Sequence, residues 1–207
     1  MQKIQKLLIL TGLFIVCATL PTFCDQVIAA PFVLKFIDAE TGRPVPLVEI
    51  EAFNGLRQVS DNLGHIAITE PDVAFSNLRL VIRGNGYRYP EVDLLGERAI
   101  NPQVLPGDCM QVKLERTVAA ERLYRITGAG RYRDSILARR SEQHTDTWLE
   151  GRVVGLDSAI PVVWHRRLYC FWGDTLYPDR LNLSGSGGMI DTFGSPDPEI
   201  PLKVQYF

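Results

Sequence analysis

Leu168-Tyr169-Cys170-Phe171-Trp172-Gly173-Asp174-Thr175 is a run of aromatic and apolar residues that ends abruptly in Gly-Asp-Thr. It has the composition of a buried strand, and its end delivers a carboxylate to a loop. Just upstream, Ser158-Ala159-Ile160-Pro161-Val162-Val163-Trp164 is a second short apolar run, and only His165-Arg166-Arg167 separates the two. A gap of that length suits a hairpin turn, so the two runs are expected to pair antiparallel, with Trp164 across from Leu168. That register brings Asp157, at the entry of the first strand, almost opposite Asp174, at the exit of the second.

Outward from this hairpin, the chain from Phe32 onward alternates strand and turn signals at short intervals, with no helical period sustained over three turns. Phe32-Val33-Leu34-Lys35-Phe36-Ile37-Asp38 reads as a strand and Ala39-Glu40-Thr41-Gly42-Arg43-Pro44 as a turn. Val48-Glu49-Ile50-Glu51-Ala52-Phe53 alternates like a half-exposed strand, and Asn54-Gly55 turns the chain. His65-Ile66-Ala67-Ile68-Thr69, Leu78-Arg79-Leu80-Val81-Ile82-Arg83 and Met110-Gln111-Val112-Lys113-Leu114 are further strands. Alternation puts Phe36, Val48, Ile50, Ile66, Ile68, Leu80 and Ile82 on inward faces of an antiparallel two-sheet sandwich over residues 32–117. Asp61-Asn62-Leu63-Gly64 reads as an Asx turn closing a hairpin rather than a calcium loop, because further ligands at calcium spacing are absent. His65, opening the next strand, reads as a capping or packing imidazole.

Residues 118–150 change composition: Arg122, Arg125, Arg131, Arg133, Arg139 and Arg140 crowd a stretch broken by Thr127-Gly128-Ala129-Gly130. It reads as a basic linker whose arginines cover an interdomain seam, with Asp134-Ser135-Ile136-Leu137 adding a short strand or turn. Near the C-terminus, Asn182-Leu183-Ser184-Gly185-Ser186-Gly187-Gly188 reads as a loop. Met189-Ile190-Asp191-Thr192-Phe193 and Leu202-Lys203-Val204-Gln205-Tyr206-Phe207 read as strands.

The first 29 residues have the pattern of a signal peptide: two lysines, an apolar run from Leu7 to Leu20, and small residues beyond it. Cleavage is expected after Ala29, with Cys24 the rival position, and implies a secreted, periplasmic or cell-surface protein without a stable membrane anchor. Taking 29 residues from 207 leaves 178, enough for two domains. A net charge of −2 gives no electrostatic footprint for nucleic acid or an anionic membrane. Cys109 and Cys170 are the cysteines that survive processing; free thiols are expected, although an oxidising compartment would permit pairing. His65, His144 and His165 are scattered singly, so neither metal nor cofactor is expected.

Two resemblances add to this. Asp38 with Thr41-Gly42-Arg43-Pro44-Val45-Pro46, then Ser60-Asp61-Asn62-Leu63-Gly64, then Gly86-Tyr87, resembles the carboxypeptidase regulatory-like, transthyretin-type β-sandwich. The resemblance implies a structural or spacer module at 32–117. Val153-Val154-Gly155-Leu156-Asp157-Ser158-Ala159, followed by Leu168-Tyr169-Cys170-Phe171-Trp172-Gly173-Asp174-Thr175, resembles the first blade of five-bladed β-propellers related to furanosidase-type glycoside hydrolases. It implies a partial propeller over 151–207, with acids at its central face serving catalysis or sugar binding. Some 87 residues follow Ala120, enough for two blades at most, so the fold class expected is all-β: a sandwich followed by an incomplete propeller-like segment.

Glycoside hydrolysis needs two carboxylates, which makes Asp157 and Asp174 the catalytic candidates. Trp164, Trp172 and Tyr177 are the candidates for stacking on sugar rings, although aromatics at strand positions also fill cores. A carbohydrate or glycan is the expected partner. Because propeller glycosidases draw their acids from different blades, the chain alone is expected to hold half a site and to be inactive. The alternative is a non-catalytic secreted or surface adhesion module in which both acids merely cap turns.

Overall fold

A computed structural model describes residues 30–126, 130–138, 152–179, 184–190 and 204–207. The expected signal peptide, residues 139–150 of the basic stretch and the Asp191-Thr192-Phe193 end of the expected third strand lie outside them. The fold is all-β, with one short α-helix among the described residues.

Eight strands build the sandwich: β1 Phe32–Asp38, β2 Glu49–Ala52, β3 Arg57–Val59, β4 His65–Ile68, β5 Leu80–Arg83, β6 Tyr87–Arg88, β7 Ala99–Ile100 and β8 Cys109–Arg116. They form two four-stranded sheets, β4-β1-β8-β6 and β3-β2-β5-β7. All seven side chains expected to face inward belong to one buried cluster drawn from both sheets. Each large apolar side chain buried there contributes about 1.5–3 kcal/mol. One pairing departs from the antiparallel expectation, because β1 and β8 run parallel in register from Val33↔Cys109 to Asp38↔Leu114. Six of the seven residues of β1 are buried and Lys35 is half-buried, so both faces of the strand are covered, which is why its sequence is a near-continuous apolar run instead of an alternating one.

The Asx turn expected at 61–64 is present, but it does not close the expected hairpin, because β3 before it and β4 after it belong to different sheets. Asp61 Oδ1 accepts the Leu63 and His65 amides at 3.0 and 3.1 Å. Gly64 has φ +74°, and a Cβ there would stand 2.3 Å from the Phe36 carbonyl oxygen, so only glycine fits.

The stretch expected to be a linker is strapped onto the sandwich. Glu121 bonds Thr41 and Arg43. Arg122 donates to the carbonyls of Pro46, Leu47 and Asn85, and buried Arg131 donates to the Ile126 carbonyl. These arginines satisfy backbone carbonyls, a use of their forked donors that composition cannot distinguish from solvated charge. Where a strand or turn was expected at 134–137, the chain forms α1, Arg133–Leu137, which packs on β4. Tertiary contact overrides local propensity in so short an element.

A third sheet, five-stranded and antiparallel, comprises β9 Gly155–Leu156, β10 Ile160–Trp164, β11 Arg167–Leu176, β12 Ser184–Ile190 and β13 Val204–Tyr206. Its order is β10-β11-β12-β13, with β9 also beside β11. Cys170, Trp172, Ile190 and Val204 form its core, and Tyr124 and Ile126 of the strap pack against them. The described part of the glycine-serine stretch, residues 184–188, expected to be a loop, belongs to strand β12. Its glycines are there for space: a Cβ on Gly187 would lie 2.4 Å from the Phe207 ring, and one on Gly188 would lie 3.0 Å from the Trp172 indole and 2.7 Å from Val204. Cys109 is an exposed thiol and Cys170 a buried one, and they do not pair.

Candidate functional site

The β10–β11 hairpin closes through two residues, not three. His165 and Arg166 both have positive φ, 47° and 61°, as the central residues of a type I′ turn, and Trp164 pairs with Arg167 instead of Leu168. That turn matches the right-handed twist of the flanking strands, a preference that outweighs the strain of left-handed non-glycine residues. The one-residue correction runs the length of the hairpin and makes the two acids direct neighbours. The Asp157 amide donates to the Asp174 carbonyl at 2.8 Å, and the Gly173 amide donates to the Asp157 carbonyl at 3.1 Å.

The backbone is irregular at this point on both strands. Against β12, Trp172 faces Ser186 and Thr175 faces Ser184, so Gly173 and Asp174 together oppose Gly185 in a β-bulge. On the other strand Ser158 has φ 58°, and its amide donates to Asp157 Oδ1 at 2.6 Å. Buried Thr175 anchors the bulge through Ser186, Oγ1 to Oγ at 2.5 Å. Both carboxylate residues are exposed to water. Opposed positions on neighbouring strands hold their Cβ atoms about 4.5–5.5 Å apart. Glycoside hydrolysis uses two carboxylates about 5–9.5 Å apart, which makes the separation of these two side chains the quantity that decides a joint role.

The three aromatics expected to stack on sugar do not share this place. Trp172 is 6% exposed and packs in the core of this sheet against Tyr206, at 5.7 Å between centroids. The alternation of β11 puts it on the same side as Cys170. Trp164 is 60% exposed but sits beside the hairpin turn, stacked edge-on with His165 at 4.2 Å. It ends β10, whose five residues span about 16 Å, so it stands at the end of the strand away from Asp157. Tyr177, half-buried and directly after β11, is the one that lies at the acids' end.

A second polar cluster, buried, escaped the sequence. Ser135 Oγ lies 2.6 Å from Asp61 Oδ2 and 2.8 Å from His65 Nδ1, and the Ser135 amide also donates to Asp61 Oδ2 at 2.7 Å. The serine stands between acid and imidazole, whereas nucleophilic catalysis needs the imidazole in the middle, and Ser135 is wholly buried. The cluster is therefore a structural joint. Burial raises the Asp61 carboxyl against the pull of its hydrogen bonds, and burial together with the nearby Asp61 charge raises Asp134 to about 6. The only hint in the sequence was the run Ser60-Asp61-Asn62, three polar residues beside an apolar strand, all of them buried.

Among the described residues no group of three or more His, Cys, Asp or Glu is placed to hold a metal ion, and no helix is long and apolar enough to cross a membrane. Fold and site define an all-β protein with an eight-stranded sandwich strapped to a second antiparallel sheet. The chain matches no known family and no curated protein.

Proposed function

We propose that this is a secreted or cell-surface carbohydrate-directed protein, in which an accessory sandwich of the carboxypeptidase regulatory-like type carries a glycoside-hydrolase-like, propeller-type sheet. The observation that carries the reading is the direct backbone pairing of Asp157 with Asp174 at a bulge, two water-exposed acids on adjacent strands. Bulges recur beside active sites because they re-aim a side chain. The up-and-down order β10-β11-β12-β13 is also the order of a propeller blade. In this reading one acid protonates the glycosidic oxygen, the other acts as base or nucleophile, and Tyr177 offers an aromatic face.

A non-catalytic binding module is the second reading. It is favoured by the 2.6 Å bond from the Ser158 amide to Asp157, which is what an acid capping its own turn makes. A glycan array followed by a hydrolysis assay on its hits separates the two. Release of reducing sugar that Asp157→Asn or Asp174→Asn abolishes supports the enzyme. Binding without turnover supports the module, and the absence of any glycan hit overturns both.

A further inference from the structure

Among the described residues, β4 is an edge strand of its sheet, paired only with β1. The Gly64 carbonyl accepts from Phe36 of β1, so residues 66 and 68 point their backbone groups toward β1 and the amides of His65 and Ala67 point out. Open amides on an edge invite pairing with another chain. Here both are capped by carboxylates, His65 by Asp61 and Ala67 by Asp134 of α1. The same Asp61 takes the Ser135 amide and hydroxyl, so two acids from different parts of the chain are buried together under one short helix.

We propose that residues 130–138 form a proton-sensitive latch over the free edge of β4, closing more tightly when the Asp61–Asp134 cluster holds a proton and loosening when it does not. The charges that face the cluster come from three parts of the chain. Asp61 and His65 come from the turn before β4 and from β4 itself, Glu70 from the segment after it, and Arg133 with Asp134 from α1. Arg133 favours the ionised form of Asp134, while Asp61 and Glu70 oppose it, and burial adds to the opposition. Ser135 gives its hydroxyl proton to Asp61 and accepts from the His65 ring, so it relays no net charge. Opening the latch returns Asp134 to water, where its affinity for a proton falls. Acid therefore favours the closed state, and the edge of β4 becomes available as pH rises.

The test is amide hydrogen exchange by NMR on the whole chain between pH 4.5 and 7, corrected for intrinsic rates. Ala67 and Ser135 report the latch, because their amides bond Asp134 and Asp61 across it; Ile66 and Ile68, which face β1, report the sandwich. For a carboxyl near 6 when closed and near 3.9 when open, protection of the first pair relative to the second rises about 20-fold on acidification. A ratio that stays flat or falls overturns the proposal. Asp134→Asn removes the rise if the proposal holds, and persistence of the rise in that variant overturns it. Should the variant not fold, carbon-13 titration of the Asp134 carboxyl in the unaltered chain decides: a midpoint near 6 supports the latch, and one near 4 overturns it.

Discussion

Asn62 and Arg125 exchange two hydrogen bonds across 63 residues of sequence, Asn62 Nδ2 to the Arg125 carbonyl at 3.0 Å and the Arg125 amide to Asn62 Oδ1 at 2.8 Å. The Asn62 amide adds a third, to the Arg131 carbonyl at 2.8 Å. One fully buried side chain thus imitates a strand edge and pins the strap. The residues on either side of Arg125, Tyr124 and Ile126, pack against the second core, so the same pin ties the five-stranded sheet to the sandwich.

Asn62→Ala leaves a buried amide and carbonyl without partners, a loss of about 2–4 kcal/mol. Urea unfolding followed by tryptophan fluorescence measures it, since all three tryptophans lie beyond residue 147. A change below about 0.5 kcal/mol, the range of an ordinary surface substitution, counts against Asn62 as the pin.

Gly188→Ala forces a methyl against Val204 and the Trp172 indole, and overpacking of this kind costs about 1–3 kcal/mol. Gly155→Ala meets nothing within 4 Å and serves as the control, with stability near that of the unaltered chain. Equal effects of the two substitutions on the urea midpoint mean that β12 does not lie under Trp172.

Stability depends on pH through Asp134. Its carboxyl is raised to about 6 in the folded protein from an unfolded value near 3.9. The folded state therefore binds more protons between these values, and stability falls as pH rises from about 4 through 6, by roughly 2–3 kcal/mol if no other group compensates. Glu51 and Asp93 are lowered by their arginine and backbone partners, so their contributions are lost only as pH falls below the ordinary carboxylate range. Urea midpoints at pH 4.5 and 7 compare the chain with Asp134→Asn, in which the slope over this window flattens. A steeper fall in the variant sinks the assignment.

Trp172 and Trp164 separate by role. Trp172→Ala empties a core position and costs about 3–5 kcal/mol, whereas Trp164→Ala, at the exposed turn, changes stability by less than about 1 kcal/mol. Asp157→Asn and Asp174→Asn, both exposed, leave the urea midpoint in place while removing any hydrolysis. Loss of fold in either asparagine variant shows that the acid serves structure instead of chemistry.

The sequence by itself determined the strand faces of the sandwich, because alternation has a period of two and burial on one side enforces it: Phe36, Ile50, Ile66 and Leu80 could be assigned from their spacing alone. It also determined that Asp157 and Asp174 approach each other, since a short gap between two strands leaves little choice of partner. Only the tertiary structure decided the rest. The hairpin register turned on two residues taking left-handed backbone that their identities do not announce. Gly187 and Gly188 look like a flexible loop until the Phe207 and Trp172 rings are laid across the strand. The strap depends on Asn62 meeting Arg125 and Asp61 meeting Ser135, contacts between residues distant in sequence, and hydrogen bonding of that kind leaves no periodic trace along the chain.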